Sequence, residues 1–292
     1  MMTESKITPD KKQLTCPICS STFIHIFPAG ECQTCFQVVC GHCIHHDNPD
    51  HPSSTCQDCV QKQTPYGQVA QMDPDELLAV LHDSSSKNSP LAARLLGDRD
   101  DQAAVAPLCQ ALESNRIDVR REAATALGKL GGNQAISALL KALNDTAPAV
   151  RGRVASSLAE LGEKEALPAL IKQLDDTSLQ AAGHAVHAVG KLMGKKACDL
   201  LKDMVQGHVS GFIRCEALTV LAGLNHEMAL AAALECLDDP KKEVIISACK
   251  ILTKLNDLEA APKLEALIEK KLSASVRIAA QTTLYYLLNP KA

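Results

Sequence analysis

A mainly α chain is predicted, an α-solenoid of two-helix units preceded by a small module held together by metal. Three observations carry this. A pattern of apolar and small residues returns every 31 or 32 positions across residues 117–288. The chain before residue 66 lacks that pattern and holds eight of the thirteen cysteines. Those eight form four C-x2-C pairs. At 292 residues there is room for more than one domain.

Residues 1–15 are polar, with Pro9 discouraging helix, and are expected to be a disordered tail. The chain starts without an apolar leader and has no uninterrupted apolar run of about 18 residues, so a soluble, cytoplasmic protein with reduced cysteines is expected. The pairs are Cys16/Cys19, Cys32/Cys35, Cys40/Cys43 and Cys56/Cys59, with twelve, four and twelve residues between them. A C-x2-C turn aims two thiolates at one ion, each sulfur about 2.3 Å away, and two turns complete a tetrahedron. Residues 16–62 are therefore read as a module with two structural zinc ions. Its aromatic residues are Phe23, Phe27 and Phe36 alone, and a stretch this short and rich in polar residues has too small a core to hold the fold alone. Structural zinc supplies on the order of 10–16 kcal/mol. With four thiolates per ion no coordination position stays open, so no zinc catalysis is expected. His25, His42, His45, His46 and His51 are read as surface groups or neighbours of the ligands.

The order C-x2-C-x12-C-x2-C-x4-C-x2-C-x12-C-x2-C resembles a FYVE-type cross-brace finger, chiefly through the gap between Cys35 and Cys40. A RING finger has a His near its fourth ligand and a shorter gap there. The resemblance implies that Cys16, Cys19, Cys40 and Cys43 hold one zinc and Cys32, Cys35, Cys56 and Cys59 the other. Spacing alone fixes the pairs and not this interleaving. FYVE fingers that read phosphoinositides carry a basic, His-rich run at the third ligand. Here Phe27–Cys35 has no Lys or Arg, and residues 1–66 contain only Lys6, Lys11, Lys12 and Lys62. Phosphoinositide binding is thus not expected.

Pro65 and Gly67 mark residues 63–74 as a linker. Asp73-Pro74-Asp75-Glu76 predicts a helix start, and Ser84–Pro90 interrupts that helix. Residues 75–292 are assigned to the solenoid. One apolar series runs Val119, Val150, Ala181, Ile213, Val244, Val276, and a second runs Leu130, Leu161, Leu192, Leu224, Leu255, Leu287, both in steps of 31, 31, 32, 31 and 32. Leu143, Leu174, Val205, Leu237 and Ile268 keep the steps in the following helix. Each unit reads as two helices, with Gly131 and Gly162 placed to end the first. One unit cannot cover its own apolar face, so neighbours must stack. Asp118–Gly131, D-V-R-x-x-A-A-x-A-L-G-x-L-G, resembles HEAT-like repeats, which implies a helical array of six repeats and a terminal half. Tyr285, Tyr286 and Leu288 fall in a last helix ending at Asn289-Pro290.

HEAT-like scaffolds include di-iron hydroxylases, DNA glycosylases and phycobilin lyases. The single His226-Glu227 pair, read as part of a short loop between Asn225 and Met228, cannot hold two irons. No Trp, three Tyr and a net charge of −4 argue against nucleic acid. Cys109, Cys198, Cys215, Cys236 and Cys249 are read mostly as buried small residues, and His184 and His187 as core or groove residues on one helix face. Arg120, Arg151, Arg214 and Arg277 recur at one position and are read as an Arg–carboxylate ladder between repeats, although Ala182 and Ile245 occupy the same slot. On the second helices one position reads Lys141, Lys172, Asp203, Glu235, Ala266, a groove that changes sign along the array. The expectation is a non-enzymatic adaptor for protein partners. The alternatives are a HEAT-like lyase or modifying enzyme that uses the finger for docking, and membrane-surface recruitment through the finger.

Overall fold

The computed structural model describes the backbone of residues 13–15, 22–24, 30–31 and 38–39, and residues 69–289 apart from 84 and 271. Strand β1 (Gln13–Thr15) pairs antiparallel with β2 (Thr22–Ile24), with Leu14 opposite Phe23. Strand β3 (Gly30–Glu31) pairs the same way with β4 (Val38–Val39). Gln13–Thr15, placed in the tail by sequence, is thus paired strand. The eight cysteines Cys16, Cys19, Cys32, Cys35, Cys40, Cys43, Cys56 and Cys59 lie outside the described residues, as do the five histidines of that region.

The chain divides into two compact units, Met1–Val80 and Leu81–Ala292. Helix α1 (Pro74–His82) spans the division and starts as the sequence predicts. The Glu76 backbone N–H donates to Asp73 Oδ1 at 2.8 Å and the Asp73 N–H to Glu76 Oε2 at 2.9 Å, a reciprocal cap for two of the helix's free donors.

In the second unit the first helices of the repeats are α2 (Ser89–Asp98), α4 (Ile117–Leu130), α6 (Pro148–Leu161), α8 (Leu179–Met193), α10 (Gly211–Leu224) and α12 (Lys242–Leu255). Their second helices are α3 (Val105–Ala111), α5 (Gly132–Ala142), α7 (Leu167–Lys172), α9 (Cys198–Gly207), α11 (His226–Cys236) and α13 (Ala261–Glu269). A lone first helix, α14 (Ala274–Leu288), follows, so the described array is six repeats and a half. The first apolar series lies in the core, with Val119, Val150, Ala181, Ile213, Val244 and Val276 all buried. Gly162 ends α6 in the left-handed region at φ +76°, where a side chain would be strained. Asn256 does the same after α12 at φ +53°.

The row of first helices packs through small residues. Gly97, Gly128, Ala159, Gly190, Ala222 and Thr253 occupy one repeat position, and Tyr285 is the seventh member. A methyl group on Gly128 would stand 2.6 Å from Ser157 Cβ, and one on Gly190 only 2.2 Å from Val220 Cγ1. Tyr285 is 56 % exposed and meets Tyr286 edge to face, with ring centres 5.7 Å apart.

Arginine–aspartate pairs lock the turns between repeats. Arg120 grips Asp145 through Nε and Nη2 at 2.7 and 2.9 Å, and Arg151 grips Asp176 at 2.7 Å through both. Arg214 reaches Asp239 through Nη2 alone at 2.8 Å. Each also donates Nη1 to a carbonyl of the turn before it, Ser114, Asp145 and His208 respectively. Asp145 therefore has its carboxylate held by one repeat and its carbonyl by the next, which is the expected ladder. The hydrogen bond from Arg151 holds Asp176 below its ordinary carboxylate range. At Asp145, burial acts to raise the pKa, but the bonds from Arg120 and the Ala147 N–H outweigh it and the net direction is down. Arg277 corrects the expectation. It is exposed, and among the described residues its guanidinium donates only to the Leu272 carbonyl at 3.4 Å. Where Arg is replaced the aspartate goes too, as Ser89 with Ser114, Ala182 with Gly207 and Ile245 with Lys270 show. Losing both partners avoids a buried unpaired charge. The two 32-residue steps fall in these same repeats, between Val205 and Ile213 and between Ile268 and Val276. In the first of those turns the His208 imidazole Nδ1 accepts the Ser210 N–H at 3.0 Å, standing in for the missing aspartate.

Candidate functional site

The second helices present the face that carries the charge series. Lys141, Lys172, Asp203 and Glu235 sit on α5, α7, α9 and α11, each two residues before a buried anchor (Leu143, Leu174, Val205, Leu237). The residues two positions earlier, Leu139, Leu170, Leu201 and Ala233, are buried as well. Since i−2 and i+2 lie on the opposite side of a helix from i, the charged position is driven outward, and all four side chains are exposed. The predicted series is thus brought onto one face. Among the described residues the side chains of Lys141, Lys172 and Asp203 make no ion pair or hydrogen bond, whereas Glu235 accepts from Gln206 Nε2 at 2.6 Å.

Crevices open between successive second helices beside three of these charges. The one between α3 and α5, about 670 Å³, is lined by Ala106, Cys109, Gln110, Gln134, Ala138 and Lys141. A second, about 370 Å³, lies at the turns that follow α5 and α7, where Leu143, Asn144, Asp145, Arg151, Lys172 and Gln173 line it. The one between α9 and α11, about 340 Å³, includes Val205, Gln206, Ala232 and Glu235. Gln173 donates Nε2 to the Leu143 carbonyl at 2.6 Å, and its buried Oε1 has no hydrogen-bond partner among the described residues. Sequence reasoning missed these glutamines, which follow no periodic pattern.

The other candidate groups fall elsewhere. His226 and Glu227 are not in a loop. They form the first turn of α11, capped by Asn225 Oδ1, which accepts the Met228 N–H at 3.1 Å. Asparagine as cap moves the helix start two residues earlier than the loop reading. His226 faces Asp257 at 3.4 Å. His184 is half-buried with Nδ1 3.1 Å from Ser156 Oγ, and burial pushes its pKa down. His187 is exposed, 2.6 Å from Glu216. Cys198, Cys236 and Cys249 are buried, as expected, while Cys109 and Cys215 are half-buried. Burial pushes Cys236 up to about 12 and Cys249 up to about 11, so both stay as unreactive thiols at neutral pH. Among the described residues no cluster of three or more His, Cys, Asp or Glu could hold a metal ion. No described helix is long and apolar enough to cross a membrane.

Two rows of short helices stacked at a fixed period define an α-solenoid repeat protein. The sequence matches the family described as HEAT repeats over residues 74–149, 136–214 and 207–284, and the chain belongs to that family. The search of curated proteins gives no match. Among solved structures, E. coli YibA is similar at 18% identity and TM-score 0.51, covering 77% of this chain and 96% of that one. The complex of CpcE and CpcF of phycocyanin lyase from Nostoc sp. PCC7120 is similar at 26% identity and TM-score 0.45, covering 74% and 95%. Human deoxyhypusine hydroxylase is similar at 21% identity and TM-score 0.40, covering 78% and 89%.

Proposed function

We propose that the protein is a scaffold that binds protein partners along the face of its second helices, with a zinc-held finger as a second docking element. One observation carries this. Lys141 and Lys172 stand exposed and unpaired beside crevices and Asp203 stands exposed and unpaired on the same face, while the interior Arg–Asp pairs are closed on one another. Unpaired charges at equal spacing on a rigid array orient a partner of complementary charge. The array alone, residues 81–292, should capture a defined partner as well as the full chain does if this face does the binding. Lys141→Glu with Lys172→Glu should weaken that capture. Undiminished capture by the double variant would remove the face from the reading.

The finger reading rests on the donor set. Four C-x2-C pairs supply eight thiolates, a set that suits two tetrahedral zinc ions and leaves none of them open. The first pair lies in sequence between β1 and β2 and the second between β3 and β4. Bound zinc would supply folding energy and no chemistry there. Elemental analysis of the purified chain should find about two zinc ions per molecule. One zinc, or iron in its place, would contradict the assignment of Cys16, Cys19, Cys32, Cys35, Cys40, Cys43, Cys56 and Cys59 as ligands.

A further inference from the structure

We infer that the turn His208–Ser210, between α9 and α10, is a joint in the array that a proton on His208 releases. The neutral imidazole fixes the turn, and the imidazolium frees it as the medium acidifies. The array divides there into the repeats up to α9 and those from α10 onward.

Four turns between repeats share one device. Asp145, Asp176 and Asp239 each accept through Oδ1 the N–H two residues on, from Ala147, Ser178 and Lys241, at 2.7, 2.8 and 2.8 Å. In the fourth turn His208 Nδ1 takes the Ser210 N–H at 3.0 Å. A carboxylate in such a turn stays an acceptor down to about pH 4. An imidazole nitrogen accepts only while it carries no proton, and histidine is the side chain that gains one between about pH 8 and pH 5. His208 thus places a titratable acceptor where the other turns have a permanent one.

The same turn is the one least held by its neighbours. The preceding repeat supplies no clamp, since Ala182 fills the arginine slot. The following repeat grips less firmly than elsewhere. Arg214 holds Asp239 by Nη2, and its buried Nε has no hydrogen-bond partner among the described residues, whereas Arg120 and Arg151 use Nε and Nη2 together. From Val205 to Ile213 the chain is one residue longer than from Leu174 to Ala181, and Val209 in the turn is 88 % exposed.

Charge adds to the release. Arg214 Nη1 donates to the His208 carbonyl at 2.6 Å and Lys241 Nζ to the Val209 carbonyl at 2.7 Å, so an imidazolium becomes the third cation at one short turn. Carboxylates on the surrounding elements are already closed on basic groups: Asp176 on Arg151, Asp239 on Arg214, Asp238 on Lys263 and Lys270, and Glu216 on His187. Asp203 on α9 and Glu243 on α12, with Lys202 and Lys242 next to them in sequence, make no ion pair with His208 among the described residues.

The test is amide hydrogen exchange, read by NMR on the full-length protein at about pH 7.5 and about pH 5. The Ser210 N–H, and the Arg214 N–H that bonds to the Ser210 carbonyl at 3.1 Å, should lose about tenfold in protection at the lower pH. The N–H groups of Ala147 and Ser178, held by carboxylates, should keep theirs. His208→Asn supplies a neutral acceptor at the same place and should hold the Ser210 protection at both pH values, whereas His208→Ala should lack it at both. Unchanged protection at Ser210 in the wild type, or an equal loss in His208→Asn, would overturn the inference. Loss at Ser210 with none at Arg214 would reduce the joint to a single bond and overturn it too. A loss that Ala147 and Ser178 share would be acid destabilisation of the whole array and would count against the joint in the same way.

Discussion

Replacing Arg151 with Ala is expected to lower folding stability by about 3 kcal/mol, the low end for breaking a buried ion pair. The variant strands a carboxylate, because the Asp176 side chain is only 7 % exposed and Arg151 supplies both of its guanidinium bonds. It also frees the Asp145 carbonyl of its Arg151 donor, so two turns loosen together. The chain's own replacements indicate the rescue, since Ala182 and Gly207 dispense with both partners. Adding Asp176→Ser to Arg151→Ala removes the stranded charge. It keeps a side-chain acceptor for the Ser178 N–H, the role that Ser114 plays toward Arg116 in the first turn. The double variant should recover most of the loss in urea titrations. A double variant as unstable as the single one would show that the charge is not what matters. Proton linkage gives a second readout. Asp176 is held below its ordinary value of 3.8, so its contribution is fully present above that value and lost as the pH falls through and below it. The wild type should therefore lose stability between neutral pH and pH 3 more steeply than the Arg151→Ala/Asp176→Ser variant.

Gly128→Leu is expected to cost about 3 kcal/mol or more, through overpacking together with a lost buried hydrogen bond. Even a methyl group there would lie 2.6 Å from both Ser157 Cβ and Oγ and 3.1 Å from its Cα, so backbone has to move. Ser157 is buried, and its hydroxyl donates to the Ala124 carbonyl at 2.9 Å, a bond that a displaced α6 cannot keep. Gly128→Ala sets a graded comparison. It gains about 1 kcal/mol of helix propensity and still meets Ser157, so it should fall between wild type and Leu. Thermal melts that rank Ala above wild type would mean that the two helices separate at little cost.

The solenoid was legible because stacking forces the same apolar positions to recur, and that recurrence survives changes of individual residues. The ladder at Arg120, Arg151 and Arg214 was legible for the same reason. Arg277 was not, because its sequence slot is identical, yet among the described residues its guanidinium meets only the Leu272 carbonyl. The start of α11 at His226 was hidden because Asn225 caps it with extended backbone at a position that Gly131 and Gly162 hold in two earlier repeats. Of the candidate face, the charges could be read from spacing. The crevices and their glutamines could not, since a cavity depends on how far two helix ends diverge. The order of the zinc ligands stays where the spacing leaves it, four pairs whose interleaving comes from resemblance alone.

Tyr285 bears on assembly. A helix that seats on α14 as the earlier first-row helices seat on one another meets this ring, which is 56 % exposed. Every earlier member of that seam is Gly, Ala or Thr, which lets the next helix approach closely. A phenol ring there holds any newcomer too far away for the register that the other repeats share. The close approach that Gly, Ala and Thr allow along the earlier seam is therefore not offered at Tyr285.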